Sequence, residues 1–281
     1  MSLSLGRLLG VSRPQIPLVR LNGAIFAGGG PLRRGLSLQR VAATLERAFK
    51  TKGAVAVALQ INSPGGSPAQ SALIGNRIRQ HAEESGLPVL AFVEDAAASG
   101  GYWLACAADE IFVDCSSIVG SIGVVSAGFG LQDAIARLGI ERRVHTAGAR
   151  KAILDPFRPE QAEDVAHLKA LQSEIHEGFK AWVRERRGQR LQAPDEELFS
   201  GAFWTGARAV DLGLADGIGE ARSVLRRRFG EKARLLPLER RRGLLSGLLG
   251  GGRGSEAGWD SLAPALLASL EERLLWQRIG L

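Results

Sequence analysis

Cysteine is scarce in this chain of 281 residues: only Cys106 and Cys115 are present. Two thiols make no disulfide framework, which points to reduced side chains in a reducing compartment. A helix that crosses a bilayer needs about 18 or more apolar residues in a row, and no such run occurs. The N-terminal stretch MSLSLGRLLGVSRPQIP carries an apolar patch too short and too interrupted for a signal peptide. The expected location is therefore the cytoplasm. Aromatic residues make up 6% of the chain, with no stacking cluster and no nucleic-acid motif, so no nucleic-acid partner is expected. Metal-ligand clusters, P-loops and dinucleotide fingerprints are missing too, and GFG at 128–130 lacks the rest of that last pattern. No cofactor and no metal are expected.

What is present describes an ordinary globular α/β protein, 45% hydrophobic and 23% charged. The net charge of +7 owes much to RRR at 226–228 and at 240–242, a solvated face or a contact for anionic lipid. Residues 17–22 suit a first strand, 28–35 a glycine-rich loop, and 38–50 a helix capped by Ser37 with Leu38, Val41, Ala42, Leu45 and Phe49 on one face. AVAVALQI at 54–61 is the near-continuous apolar run of a strand buried on both sides. A turn, NSPGG, leads to a helix that starts at Ser67 and Pro68 and runs to about Glu84. Further strands are expected at 88–92, 110–114 and 140–145, with a short helix near 131–138. A long amphipathic helix from Pro159 to Arg187 carries Val165, Leu168, Leu171, Ile175, Phe179 and Val183 as its stripe. Thr205 caps a short helix within 201–219. Strands alternating with helices argue for a largely parallel sheet. Residues 1–15 form a tail and 16–238 the domain, followed over 239–281 by a basic, glycine-rich linker and an amphipathic helix with Leu266, Leu267, Leu270, Leu274 and Leu275 apolar. That helix either docks on its own domain, joins an oligomer or lies on a membrane surface.

The chemistry centres on AFVEDAAASGGYWL at 91–104. As strand, sharp turn and helix, it puts Ser99 where a helix begins and unpaired amides favour negative charge. Small neighbours leave room for a substrate backbone. The plain alternative is a tight turn with Ser99 as an N-cap. A serine is a poor nucleophile without a base. His81, His167 and His176 fall on helices and are most simply surface residues, while His145 ends an expected strand. Lys151, in TAGARKAILDPF, is the better candidate, because a desolvated lysine can act as a base beside a serine. From spacing alone, an ordinary surface lysine remains the simpler account. Amides around Gly66 and at Gly100 can converge on one oxygen, or the glycines can merely satisfy turn dihedrals.

Five stretches in order, INSPGGSP, AAASGGYWLACAADEI, VGSIGV, GARKAILDPF and FWTGARAVDLGLAD, resemble the S49 peptidases, the signal peptide peptidase A family, in its short form. The resemblance covers roughly residues 17–225. It implies a Clp protease/crotonase-like fold of stacked β-α units with a largely parallel sheet. Ser99 would be the nucleophile, Lys151 the general base, Gly66 and Gly100 the oxyanion amides, and Ser121 the residue that orients the lysine. It also implies a peptide or unfolded-protein substrate, residual signal peptides among them, and a homo-oligomer in which a neighbouring subunit can supply the lysine. The family's N-terminal membrane anchor has no counterpart in this sequence, and the C-terminal segment is the expected substitute, through contact with the inner-membrane surface. Two rivals are a crotonase-like enzyme acting on acyl thioesters and a non-catalytic peptide-binding scaffold of the same fold.

Overall fold

The computed structural model describes residues 13–26, 35–148, 150–238, 270 and 272–281. The expected glycine-rich loop, most of the linker, Leu266 and Leu267 fall largely or wholly outside that range. A sheet of eight strands carries the fold, with its central path ordered β6-β5-β3-β2-β1-β8. The strands are β1 Gln15–Asn22, β2 Val57–Ser63, β3 Val89–Ala98, β4 Glu110–Val113, β5 Ile118–Gly120, β6 Phe203–Thr205, β7 Gly217–Ile218 and β8 Arg234–Leu238. Every pairing is parallel except β5 with β6.

Side-chain alternation along the strands loads both faces of this sheet. Val57, Leu59 and Ile61 point into one core, under α1 Leu38–Phe49, α2 Pro68–Ser85, α3 Gly100–Cys106 and the C-terminal part of α5 Ala162–Arg187. Ala56, Ala58, Leu90 and Phe92 point the other way, under Val224 and Leu225 of α8 Ala221–Phe229. Leu59 is fully buried, and truncating such a residue to alanine costs about 2–5 kcal/mol. Shorter helices are α4 Gln132–Arg137, α6 Asp195–Leu198 and α7 Gly206–Asp211.

Most expected elements are present, and the departures have physical causes. The strand expected at 88–92 runs on to Ala98, because Ala96–Ala98 pair with β5 after Leu90–Phe92 have paired with β4. Residues 140–145 form no strand, and their backbone finds no neighbouring strand. Ser37 occupies the N-cap position but makes no cap bond. Instead the Gln70 side chain accepts from the Leu38 amide at 2.9 Å. Thr205 and Ser67 do cap, accepting from Arg208 N and Gln70 N. The stripe on α5 is buried only at Phe179 and Val183, while Leu171 and Ile175 are exposed. The segment 123–178 contains no buried residue among those described.

Candidate active site

Two strand-to-helix turns meet at the carboxyl edge of the sheet. β3 ends at Ala98, and Ser99 turns the chain into α3 with φ 52° and ψ −120°. A positive φ is uncommon outside glycine, and such strain persists only where the surroundings enforce it. Here the Ser99 amide donates to Gly120 O at 2.8 Å, and the Tyr102 amide donates to Ser99 O at 3.0 Å. The Ser99 side chain does not cap α3. Among the described residues its hydroxyl makes no hydrogen bond to the protein. Ser99 thus holds the N-cap position of a tight turn without making a cap bond.

The glycines of the SPGG turn press directly against this elbow. A Cβ on Gly65 would lie 2.7 Å from Ser99 Cβ and 2.8 Å from Gly100 N, and one on Gly100 would lie 3.4 Å from Gly65 Cα. Gly66 bridges Ile25: the Ile25 amide donates to Gly65 O and the Ser67 amide donates to Ile25 O, each at 2.8 Å. In a parallel bridge this pattern spends the flanking groups and leaves the Gly66 N–H pointing away. The Gly100 amide opens α3, where no intrahelical acceptor exists. Neither amide donates to another backbone group among the described residues, and they lie on the two turns that meet at Ser99.

Ser121 follows Gly120 in the chain. It has φ 53° and donates its amide to Ala202 O at 2.7 Å, one residue after the Gly120 carbonyl that holds Ser99. Lys151 is not brought in. It sits exposed on a turn, its amide donating to Gly148 O at 3.2 Å, and no hydrogen bond links its side chain to Ser99 or Ser121. Three non-glycine residues with positive φ occur among those described, Ser99, Ser121 and Leu154. Each lies within one of the stretches that carry the resemblance.

No hydrogen bond links a histidine to Ser99 among the described residues. His81 is not a free surface residue as expected, because its ring packs 5.4 Å from Phe49. His176 Nε2 lies 3.0 Å from Ile122 O, and His145 is exposed on an irregular segment. Cys106 is no rival nucleophile, since burial pushes its thiol up to about 12. Sequence reasoning missed Gly65, which touches Ser99 more closely than Gly66 does. The glycine doublet was the available signal. It also missed Ile25 and Gly120, whose backbone groups hold the two turns; backbone bonds leave no side-chain signature. No group of three or more His, Cys, Asp or Glu that could hold a metal occurs among the described residues.

These features define a class: an α/β fold of the Clp protease/crotonase type with a serine elbow beside a glycine turn. Solved structures of a membrane-bound stomatin-specific protease, 1510-N, share the fold. One of them, a mutant in complex with a substrate peptide, aligns with a TM-score of 0.54 at 14% identity, over 85% of this chain and 97% of that one. The profile of Peptidase family S49 matches residues 81–233, and the chain belongs to that family. The chloroplastic serine protease SPPA of Arabidopsis thaliana is 29% identical over 92% of this chain and 39% of its own length. A Brucella abortus protein named Na(+)/H(+) antiporter NhaA is 52% identical over 95% of this chain and 37% of its own length. The chain thus spans about two-fifths of these relatives.

Proposed function

We propose that this chain is a serine endopeptidase in which Ser99 and Lys151 form a dyad that hydrolyses small or unfolded peptides, residual signal peptides among them. The observation that carries the reading is the strained Ser99, its hydroxyl uncommitted, packed against Gly65. Lys151 removes the Ser99 proton as Oγ attacks a peptide carbonyl. The Gly66 and Gly100 amides hold the oxyanion, and a water then hydrolyses the acyl-enzyme. Ser121 orients the lysine amine.

A lysine acts as a base only where desolvation favours its neutral form. Lys151 is exposed in the single chain, so in this reading a second copy supplies the covering surface and the dyad forms between subunits. The exposed apolar side chains of the same segment support that arrangement, with Phe129 83%, Leu138 73% and Val125 65% exposed. The region matched in a Brucella protein named for a membrane antiporter supports work close to a membrane. Among the described residues, no helix is long and apolar enough to cross one.

The test is casein or fluorogenic-peptide hydrolysis by wild type, Ser99→Ala, Lys151→Ala and an equal mixture of the two variants. Both variants should be inactive and the mixture should regain activity. Full activity in Ser99→Ala would remove the nucleophile and, with it, the peptidase reading. Inactive variants whose verified mixed oligomers stay inactive would place both residues of the dyad in one chain.

A further inference from the structure

The face of the sheet opposite α1, α2 and α3 changes character toward its carboxyl end. Under α8 it is apolar. Beyond α8 it becomes polar, with Arg20 Nε donating to Gln60 Oε1 at 3.1 Å, Gln60 Nε2 to Glu94 Oε1 at 2.6 Å and Asn62 Nδ2 to Asp95 Oδ2 at 2.6 Å. Beside Ser99 it turns apolar again, at Ala96, Ala98 and Ile118. The end of the chain covers this last patch. Residues 272–277 are helical, and Trp276 and Ile279 pack on Ala96, Ala98 and Ile118, with Ile279 only 4% exposed. At its other end Glu272 Oε1 accepts from the Ala24 amide at 3.4 Å. Of the three fates open to this helix, the structure shows docking on its own domain.

Each anchor lies next to a part of the candidate site. Ala24 precedes Ile25, the bridge partner of Gly66. Ala98 precedes Ser99. Ile118 opens the strand that ends at Gly120, whose carbonyl holds the Ser99 amide. We propose that residues 272–281 are a strap that closes over the sheet beside Ser99 and competes with an unfolded polypeptide for access to the site. Among the described residues the attachment is modest: Ile279 is fully seated, Leu275 and Trp276 are half-buried, and the Ala24–Glu272 hydrogen bond is long. Fully burying one aliphatic side chain is worth only about 1.5–3 kcal/mol, which suits a strap that opens and recloses rather than a permanent wall.

The inference rests on Ser99 being the reactive residue, and the experiment separates the two. Ile279→Asp is made in the 281-residue chain, with Ile279→Leu as the conservative variant and Leu274→Asp, on the exposed side of the helix, as the charge control. Hydrogen exchange over 272–281 reports release. The Kd for fluorescein-labelled casein is measured in the Ser99→Ala background, and hydrolysis in the Ser99 background. Ile279→Asp should free the segment and tighten casein binding roughly threefold or more, the size expected if the strap is closed about two-thirds of the time or more. Hydrolysis at low substrate should rise by the same factor, with both controls unchanged. Unaltered binding on release would overturn the strap, as would rapid exchange of 272–281 in the unsubstituted chain or no casein binding by either background. If binding tightens but no version cleaves casein, the strap stands and the peptidase reading falls.

Discussion

Removing Arg187 should cost the protein a large part of its stability. The Arg187 side chain is 2% exposed and lies at the end of α5. Nη1 and Nη2 donate to the two Asp216 carboxylate oxygens at 2.7 and 3.1 Å, while Nε and Nη2 donate to Gly213 O at 3.0 and 2.8 Å. Arg187→Met keeps the bulk of the side chain but leaves a carboxylate and a carbonyl short of donors. Breaking a buried pair from one side costs about 3–5 kcal/mol, against a total stability of about 5–15 kcal/mol. Arg190, 42% exposed and 3.4 Å from Asp216 Oδ1, restores only a fraction of that, as exposed pairs do. Urea unfolding should therefore show a clearly lower midpoint with an unchanged slope. The double variant Arg187→Met, Asp216→Leu should recover at least half the loss, because no unpaired charge remains. Burial opposes ionisation of Asp216, but the Arg187 hydrogen bond and charge outweigh it and hold the carboxyl below its ordinary value. A lowered carboxylate contributes stability that is present above about pH 3.9 and is lost as pH falls through the native value. The variant should lose this acid-side dependence. A cost under about 1 kcal/mol for the single change, or strict additivity in the double, would refute the argument. Tyr102 of α3 donates to Leu214 O at 2.8 Å, next to Gly213, so the same change loosens the support under Ser99.

Three further outcomes follow from the glycine turn, from α5 and from the exposed apolar segment. A Cβ on Gly66 would strike the Ile25 carbonyl at a φ of +139°, so Gly66→Ala should cost about 1–3 kcal/mol and abolish peptide hydrolysis. Gly178→Ala, on α5 with open space around it, should stabilise by up to about 1 kcal/mol with hydrolysis intact; wild-type kcat/KM in Gly66→Ala would remove Gly66 from the oxyanion hole. Phe129→Asp should break the proposed oligomer, since losing one buried apolar side chain from each copy, about 1.5–3 kcal/mol apiece, weakens association roughly 10²–10⁴-fold. Sedimentation velocity checks it, and an unchanged oligomer would exclude this surface from the contact.

Local patterns made much of the fold legible. The two-sided apolar run at 54–61, the apolar face of α1, and the Ser67–Pro68 start of α2 each carry their own signal within a few residues. Elements fixed by distant partners were not legible. β8, at Arg234–Leu238, is a strand because it pairs with Gln15–Val19 at the far end of the chain. The run of small residues Ala96–Ala98 has weak strand propensity, and pairing with Ile118–Gly120 overrides it. Arg187 ends a helix whose last turn also carries Arg184 and Arg186, and only the approach of Gly213 and Asp216 turns it into a buried anchor.

The same distinction divides the candidate site. The Ser99 half was readable because an elbow needs small residues in sequence: Ala96–Ala98 before the turn, two glycines after it, and a glycine pair on the facing turn. The structure gives each a steric reason, since added Cβ atoms at Gly65, Gly66, Gly100 and Gly101 would meet backbone or packed side chains. The Lys151 half has no such local demand. It lies on a segment whose described residues, from 123 to 178, find no buried position in the single chain, although Val125, Phe129, Leu138 and Ile140 are all more than half exposed. Scattered exposed apolar residues are ordinary, but so many along one segment mark a surface that is usually covered. A lysine on such a segment takes its environment from the surface that covers it. Its chemistry would depend on what covers it, which is why the mixed-variant experiment, rather than a closer view of one chain, decides its role.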